Sequence, residues 1–220
     1  MIESNDERAG CSSLPYFKDE AGGLSLAQAP AELSSWRRSQ RNRLVAERLA
    51  LDPAIRCDYS QRIAQNLDRV LGDPAELIVS GYWPHRGEPD LRGWLATLAQ
   101  RKGQAALPVI VAKGEPLSFR GWRPGERLEK GIWNIPFPAE GPYVNPDIVI
   151  APLVGFDVAG YRLGHGGGYF DRTLASVLNR PHIIIGVGYG QSKLSTIYPQ
   201  PHDVPMDIIV TESEIAEIRR

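Results

Sequence analysis

The spacing of apolar residues changes period several times along this chain, and each change marks an element. In ELSSWRRSQRNRLVAERLAL, which ends at Leu51, the apolar positions Trp36, Leu44, Val45 and Leu49 sit among arginines, and Pro53 follows as a stop signal. This pattern predicts a helix with a basic face. Arg37, Arg41 and Arg48 recur at intervals of four and seven, which places them on one side of it. A second helix is predicted over 54–71. ELIVSGYW (76–83) is apolar without alternation, as a strand buried on both faces must be. GYWPHRGEPD (81–90) then reads as a loop at the carboxyl end of that strand, the position where open α/β sheets place their ligands.

Farther along, 90–101 is predicted helical, AALPVIVA (105–112) a strand and PLSFRGW (116–122) an edge strand. NPDIVIAPLVGF (145–156) reads as one buried strand running up to a glycine loop, followed by a helix over 169–179. HIIIGVGYG (182–190) and MDIIVTE (206–212) complete the strands. Strands alternating with helices predict a single α/β domain, a mostly parallel sheet flanked by helices on both faces. Residues 1–30 mix Gly, Ser, Pro and charge without periodicity and are expected to form a flexible tail, leaving 31–220 for the domain.

The densest chemistry lies in RLGHGGGYFDR, Arg162 to Arg172. Glycines at 164, 166, 167 and 168 allow positive φ and let several backbone N–H groups approach an anion. A helix starting near Tyr169 would add its N-terminal dipole, roughly 0.3–1 kcal/mol for each neighbouring negative charge. The loop is not a Walker motif, because Tyr169 and Phe170 stand where Lys and Ser or Thr are required. Nor is it a dinucleotide fingerprint, since Tyr169 occupies the third glycine's place. Asp171 in the first turn would repel a polyphosphate unless a divalent cation lay between them. The sequence therefore points to a hard metal such as magnesium, with Asp171 as a ligand.

Composition narrows the partner. The chain has 220 residues, 42% hydrophobic and 23% charged, with a formal net charge of −1. That balance gives no general attraction to nucleic acid or to an anionic membrane, so a small-molecule partner is expected. Cys11 and Cys57 lack ligand spacing, and no signal-like or membrane-spanning apolar run is present, which fits a cytoplasmic protein. Glu88, an acid in a loop with Tyr82, Trp83, Pro84 and His85, suits recognition of a flat heteroaromatic ring. Tyr169 and Phe170 offer a second stacking surface, and Asp203, in the proline-dense YPQPHDVPMD, is the candidate second metal ligand.

Several blocks occur in a shared order: YWPHRGEPD, ALPVI, LSFRGWRPGERLEKGIWNIP, PDIVIAPLVGFDVAGYRLGHGGGYFDRTL, IGVGYGQ and PHDVPMDIIVTE. Across about 33–212 the chain resembles the 5-formyltetrahydrofolate cyclo-ligase family, also called methenyltetrahydrofolate synthetase. The resemblance implies a fold like that of the ribose-phosphate isomerase and coenzyme A transferase group (NagB/RpiA/CoA transferase-like). It also implies cyclisation of 5-formyltetrahydrofolate to 5,10-methenyltetrahydrofolate with ATP as co-substrate, Mg2+ as metal, and ADP and phosphate as products. By that resemblance Trp83 and Glu88 are folate contacts, and His165, Gly166, Gly167, Gly168 and Tyr169 form a wall shared by folate and phosphate. Arg162, Leu163, Gly164, His165, Gly166, Gly167, Gly168, Tyr169 and Phe170 match the ATP loop, Arg37 and Arg41 lie where the basic helix contacts ATP, and Asp171 and Asp203 match the metal ligands. Lys is the usual residue at the position of Arg37, Tyr or a basic residue at His165, and Tyr at Phe170. These differences leave open an inactive folate- or nucleotide-binding paralogue, and fold analogy alone leaves open a sugar-phosphate isomerase.

Overall fold

The computed structural model describes residues 29–177 and 183–218. Most of the expected tail, the last residues of the helix predicted to 179, and the first residue of the strand predicted from His182 lie outside the described residues. Helix α1 (Ala29–Ala50) starts a turn before the basic stretch, and α2 (Pro53–Leu71) follows after two residues. The break is local chemistry: the Asp52 carboxylate accepts the Ala54 N–H at 2.7 Å, and Pro53 occupies the first helical position.

After β1 (Ile78–Ser80) the predicted helix over 90–101 is shorter, α3 (Arg92–Thr97), and runs into a 3-10 turn over Leu98–Arg101. Strands β2 (Gln104–Val109) and β3 (Ser118–Trp122) lead to a hairpin the sequence pattern did not predict, β4 (Leu128–Lys130) and β5 (Pro136–Pro138), and to β6 (Tyr143–Val144). Next come β7 (Ile148–Pro152), β8 (Gly155–Asp157), β9 (Arg162–Leu163) and α4 (Tyr169–Val177). The described chain closes with β10 (Ile183–Val187), β11 (Lys193–Leu194), β12 (Ile208–Val210) and β13 (Ile215–Glu217).

Eight strands form one sheet in the order β13-β12-β10-β7-β1-β2-β3-β6. The central five are parallel; β13 pairs antiparallel with β12 at one edge, and at the other β3 pairs antiparallel with β2 and β6 antiparallel with β3. The expected edge strand, β3, is therefore covered by β6. Alternate residues of β7 serve opposite layers. Ile148 and Ile150 pack with Ile63 and Leu67 of α2 and with Leu95 of α3, while Val149 and Ala151 join Leu174 of α4 and Phe156. Helices on both faces explain the unbroken apolar runs.

The strand predicted over 145–156 divides in two. β7 ends at Pro152, which has no N–H for the ladder, and β8 turns into a small sheet with β11 and β9. Helix α1 lies on that sheet through Leu44 and Val45, clustered with Val154, Leu163 and Ile197. The approach is close enough that a Cβ on Gly155 would come within 2.7 Å of Leu44 Cδ1.

Register in the parallel core is held by one device used twice. In PDIVI, Asp147 accepts the Ile78 N–H at 2.8 Å, and in MDIIV, Asp207 accepts the Ile184 N–H at 2.8 Å, each acid standing just before its strand. The half-buried Asp207 makes the stronger test. Asp207→Ala leaves an inter-strand N–H without its acceptor and is expected to cost about 1–3 kcal/mol in urea unfolding, with Asp207→Asn milder because its amide oxygen still accepts. An unchanged unfolding midpoint in Asp207→Ala would show that the carboxylate does not hold the register.

Candidate active site

The chain leaves β1 towards β2 on one side, while β7, paired on the other side of β1, continues to β10. This reversal of strand order opens a crevice at the carboxyl ends of β1 and β7, where doubly wound sheets bind ligands. A cavity of about 840 Å3 occupies it. Every residue assigned to nucleotide, folate or metal from the sequence lines it: Arg37 and Arg41 from α1, Trp83 and Glu88 from the loop after β1, Arg162 to Asp171, and Asp203. Positions 166 residues apart in sequence thus meet in one space.

Glu88 anchors one wall. It is 6% exposed, and its two oxygens are engaged: Oε2 accepts the His85 backbone N–H at 2.9 Å, and Oε1 lies 2.9 Å from His165 Nε2. The carboxylate therefore clamps the loop after β1 to the glycine loop. The His85 and His165 rings meet edge to face at 5.4 Å. Burial pushes the His85 imidazole below its ordinary value, with Glu88 acting in the opposite direction. Trp83 stands edge-on to Trp122, and the Arg92 guanidinium lies 5.0 Å from its ring centroid.

The same loop is held from beneath by Arg48, buried at 4% exposure. Its Nε donates to the Arg86 carbonyl at 2.9 Å, Nη1 to Leu153 at 3.3 Å and Nη2 to His85 at 3.4 Å. Burial lowers its pKa, and the Glu88 charge opposes that shift. The sequence places Arg48 on the basic side of α1 with Arg37 and Arg41. The structure gives it the separate task of fixing the loop to the end of β7.

On the opposite wall, Gly166 and Gly168 take φ of 95° and 64°, which L side chains rarely adopt. The loop runs directly into α4, whose Thr173 donates to the Tyr169 carbonyl at 2.7 Å and accepts the Leu117 N–H at 2.8 Å. Arg162, pushed down in pKa by burial, pairs with Asp171 Oδ2 at 2.9 Å and lies over the Phe170 ring. Arg37 pairs with Asp203 Oδ2 at 2.5 Å and donates to the Tyr198 carbonyl at 2.8 Å, while the Gln200 N–H also reaches Asp203 Oδ2 at 2.7 Å. The two residues expected to meet nucleotide and metal separately, Arg37 and Asp203, are here bonded to each other.

The two aspartates fit a hard cation in chemistry. Both line the cavity, both act on the charge of Arg162, and Asp171 Oδ1 is buried with no hydrogen-bond partner. Among the described residues, no group of three or more His, Cys, Asp or Glu is arranged as a metal cage, so the protein's contribution would be those two carboxylates.

Sequence reasoning missed the hairpin β4–β5. It carries Ile132, Trp133, Ile135 and Phe137 to the cavity, with Trp133 and Asn134 both at positive φ. Trp133 meets Tyr169 edge to face at 6.1 Å. The aromatic and branched residues of GIWNIPF were the available signal. Arg172 was also missed as a site residue, although it ends the motif.

These features define an α/β enzyme fold with its ligand crevice at the switch point, an apolar and carboxylate wall facing a glycine loop at a helix N-terminus. The model of the 5-formyltetrahydrofolate cyclo-ligase family matches residues 33–212, and the chain belongs to that family of ligases. It is 34% identical over 180 residues to the 5-formyltetrahydrofolate cyclo-ligase of Escherichia coli strain K12, covering 77% of this chain and 97% of that one. To the Haemophilus influenzae enzyme of the same name it is 31% identical over 157 residues, 68% of this chain and 84% of that one. The Aquifex aeolicus 5,10-methenyltetrahydrofolate synthetase structure superposes with a TM-score of 0.72 at 27% identity, covering 84% of this chain and 93% of that one.

The Arg48 contacts make a direct prediction. Arg48→Ala removes a donor from three carbonyls, of which His85 O keeps the Glu88 N–H, and is expected to lower unfolding free energy by about 2–4 kcal/mol in urea titration. Arg48→Lys is expected to recover only part, because one ammonium cannot reproduce the planar fork. A loss below about 0.5 kcal/mol for the alanine variant would show that the loop is held by other contacts.

Proposed function

We propose that this protein converts 5-formyltetrahydrofolate to 5,10-methenyltetrahydrofolate at the expense of ATP, with magnesium, releasing ADP and phosphate. The observation that carries this reading is the convergence, in one cavity, of the Trp83 and Glu88 wall with the glycine loop and its arginines. Family membership supports the folate conversion.

In this reading the formyl oxygen attacks the γ-phosphorus of ATP and the bond from that phosphorus to the ADP oxygen breaks. A poor leaving group becomes a phosphate ester. N10 of the folate then attacks the formyl carbon and loses its proton, the carbon–oxygen bond to phosphate breaks, and the five-membered ring is closed. No side-chain nucleophile is required, so catalysis rests on positioning and on electrostatic stabilisation of the transferring phosphoryl group.

Glu88, between Trp83 and His165, orients the pterin edge by accepting its N–H groups, and Trp83 and Tyr169 supply apolar ring surface. The N–H groups of the glycine loop and the N-terminus of α4 face the phosphates. Asp171 and Asp203 would hold magnesium, which when bound neutralises phosphate charge and fixes phosphate orientation. For Asp203 to hold the metal its contact with Arg37 would have to open, which would leave that guanidinium free to meet the nucleotide.

Near-ultraviolet absorbance of purified protein with 5-formyltetrahydrofolate and magnesium tests the reading, because ring closure extends conjugation. The product band is expected to grow only when ATP is added, and Asp171→Ala is expected to reduce that rate at least about a hundredfold. A flat trace with ATP present would overturn the reaction, and full activity of Asp171→Ala would remove that residue from the metal site.

A further inference from the structure

The charges around the glycine loop are not equivalent. Arg37 and Arg162 are each matched by a carboxylate, Asp203 and Asp171. Arg41 and Arg172 are not: among the described residues neither has an acidic side chain within 4.0 Å, and each instead holds one carbonyl of the loop. Arg41 Nε donates to Gly164 O at 2.7 Å, and Arg172 Nη2 donates to Gly167 O at 2.8 Å. Both line the cavity, and Arg172 Nε is buried with no partner.

The glycines are the seats of these guanidinium groups. A Cβ on Gly168 would lie 2.7 Å from Arg172 Nη1, and one on Gly166 would lie 3.5 Å from Arg41 Cζ. Arg172 also rests over the Tyr169 ring, its Cζ 5.0 Å from the centroid, so its plane is fixed before any ligand arrives. Two cations without an ion-pair partner among the described residues therefore flank the loop, each oriented by a single carbonyl and each with donors to spare, although the Asp203 and Asp171 charges act on Arg41 from farther off.

From this we infer that Arg172, paired across the loop with Arg41, binds the phosphate chain of the nucleotide. The inference rests on the cyclo-ligase reading for the identity of that nucleotide, but the chemistry it invokes is that of any polyphosphate: forked, charge-assisted donors on phosphate oxygens. The residue faces the ligand from α4, opposite the α1 arginines.

Inorganic tripolyphosphate separates the two ideas, because its binding does not depend on folate, adenine or turnover. Calorimetric titration of the full chain is expected to show tripolyphosphate binding that weakens about ten- to a hundredfold in Arg172→Gln and less in Arg172→Lys. Affinity for 5-formyltetrahydrofolate is expected to stay within about twofold, since the residue donates to the phosphate wall. Millimolar guanidinium chloride is expected to restore part of the ATP-dependent turnover of Arg172→Gln. Unchanged tripolyphosphate affinity in Arg172→Gln would overturn the inference while leaving the cyclo-ligase reading intact. Equal weakening of both ligands, with a lowered melting temperature and no rescue by guanidinium, would also overturn it by showing a purely structural role. Tripolyphosphate binding lost in Arg172→Gln from a protein that shows no ATP-dependent ring closure would uphold the polyphosphate site and overturn the reaction.

Discussion

The site depends on one topological constraint: β1 and β7 are hydrogen-bonded neighbours whose chains leave in opposite directions. No helix can cover the carboxyl ends at that point, so a crevice is unavoidable. What makes the crevice a site is how its two sides are tied. Arg48 reaches the carbonyls of His85 and Arg86 on one side and Leu153 on the other, and above it Glu88 bridges His85 and His165. These bonds link α1, the loop after β1 and the glycine loop into one frame, and none of them requires a ligand.

Electrostatics within the frame follow from burial. Arg162 is held away from water, and its charge is sustained by Asp171, with Asp203 contributing. Arg37 and Asp203 form a second ion pair. The pocket thus keeps Asp171 and Asp203 each paired with an arginine, while Arg41 and Arg172 bond carbonyls of the glycine loop. Such pairing lowers the cost of holding charges in a partly dry cavity.

Much of this was legible in the sequence. The apolar runs named the parallel strands, RLGHGGGYFDR named the glycine loop that lines the cavity, and the arginine spacing named the face of α1 that meets it. What was not legible were long-range partners. Nothing local tells that Arg48 bonds a loop 37 and 38 residues away, or that Arg37 closes on an aspartate 166 residues on. The division of NPDIVIAPLVGF into β7 and β8 was hidden for a related reason. Its apolar pattern suits either one long strand or two short ones, and the choice rests on Pro152, which ends the ladder, together with α1 packing on Gly155. Hairpin β4–β5 was missed because its strands are three residues each, too short for alternation to register.

Hydrogen exchange by mass spectrometry tests most directly the claim that one crevice has a folate wall and a phosphate wall. With magnesium and a non-hydrolysable ATP analogue, the account predicts slowed exchange confined to the amides of 164–172 and of α1 around Arg37 and Arg41. With 5-formyltetrahydrofolate alone, it predicts slowed exchange in 82–90 and around His165. Nucleotide protection that falls elsewhere, with 164–172 exchanging as in the free protein, would contradict it.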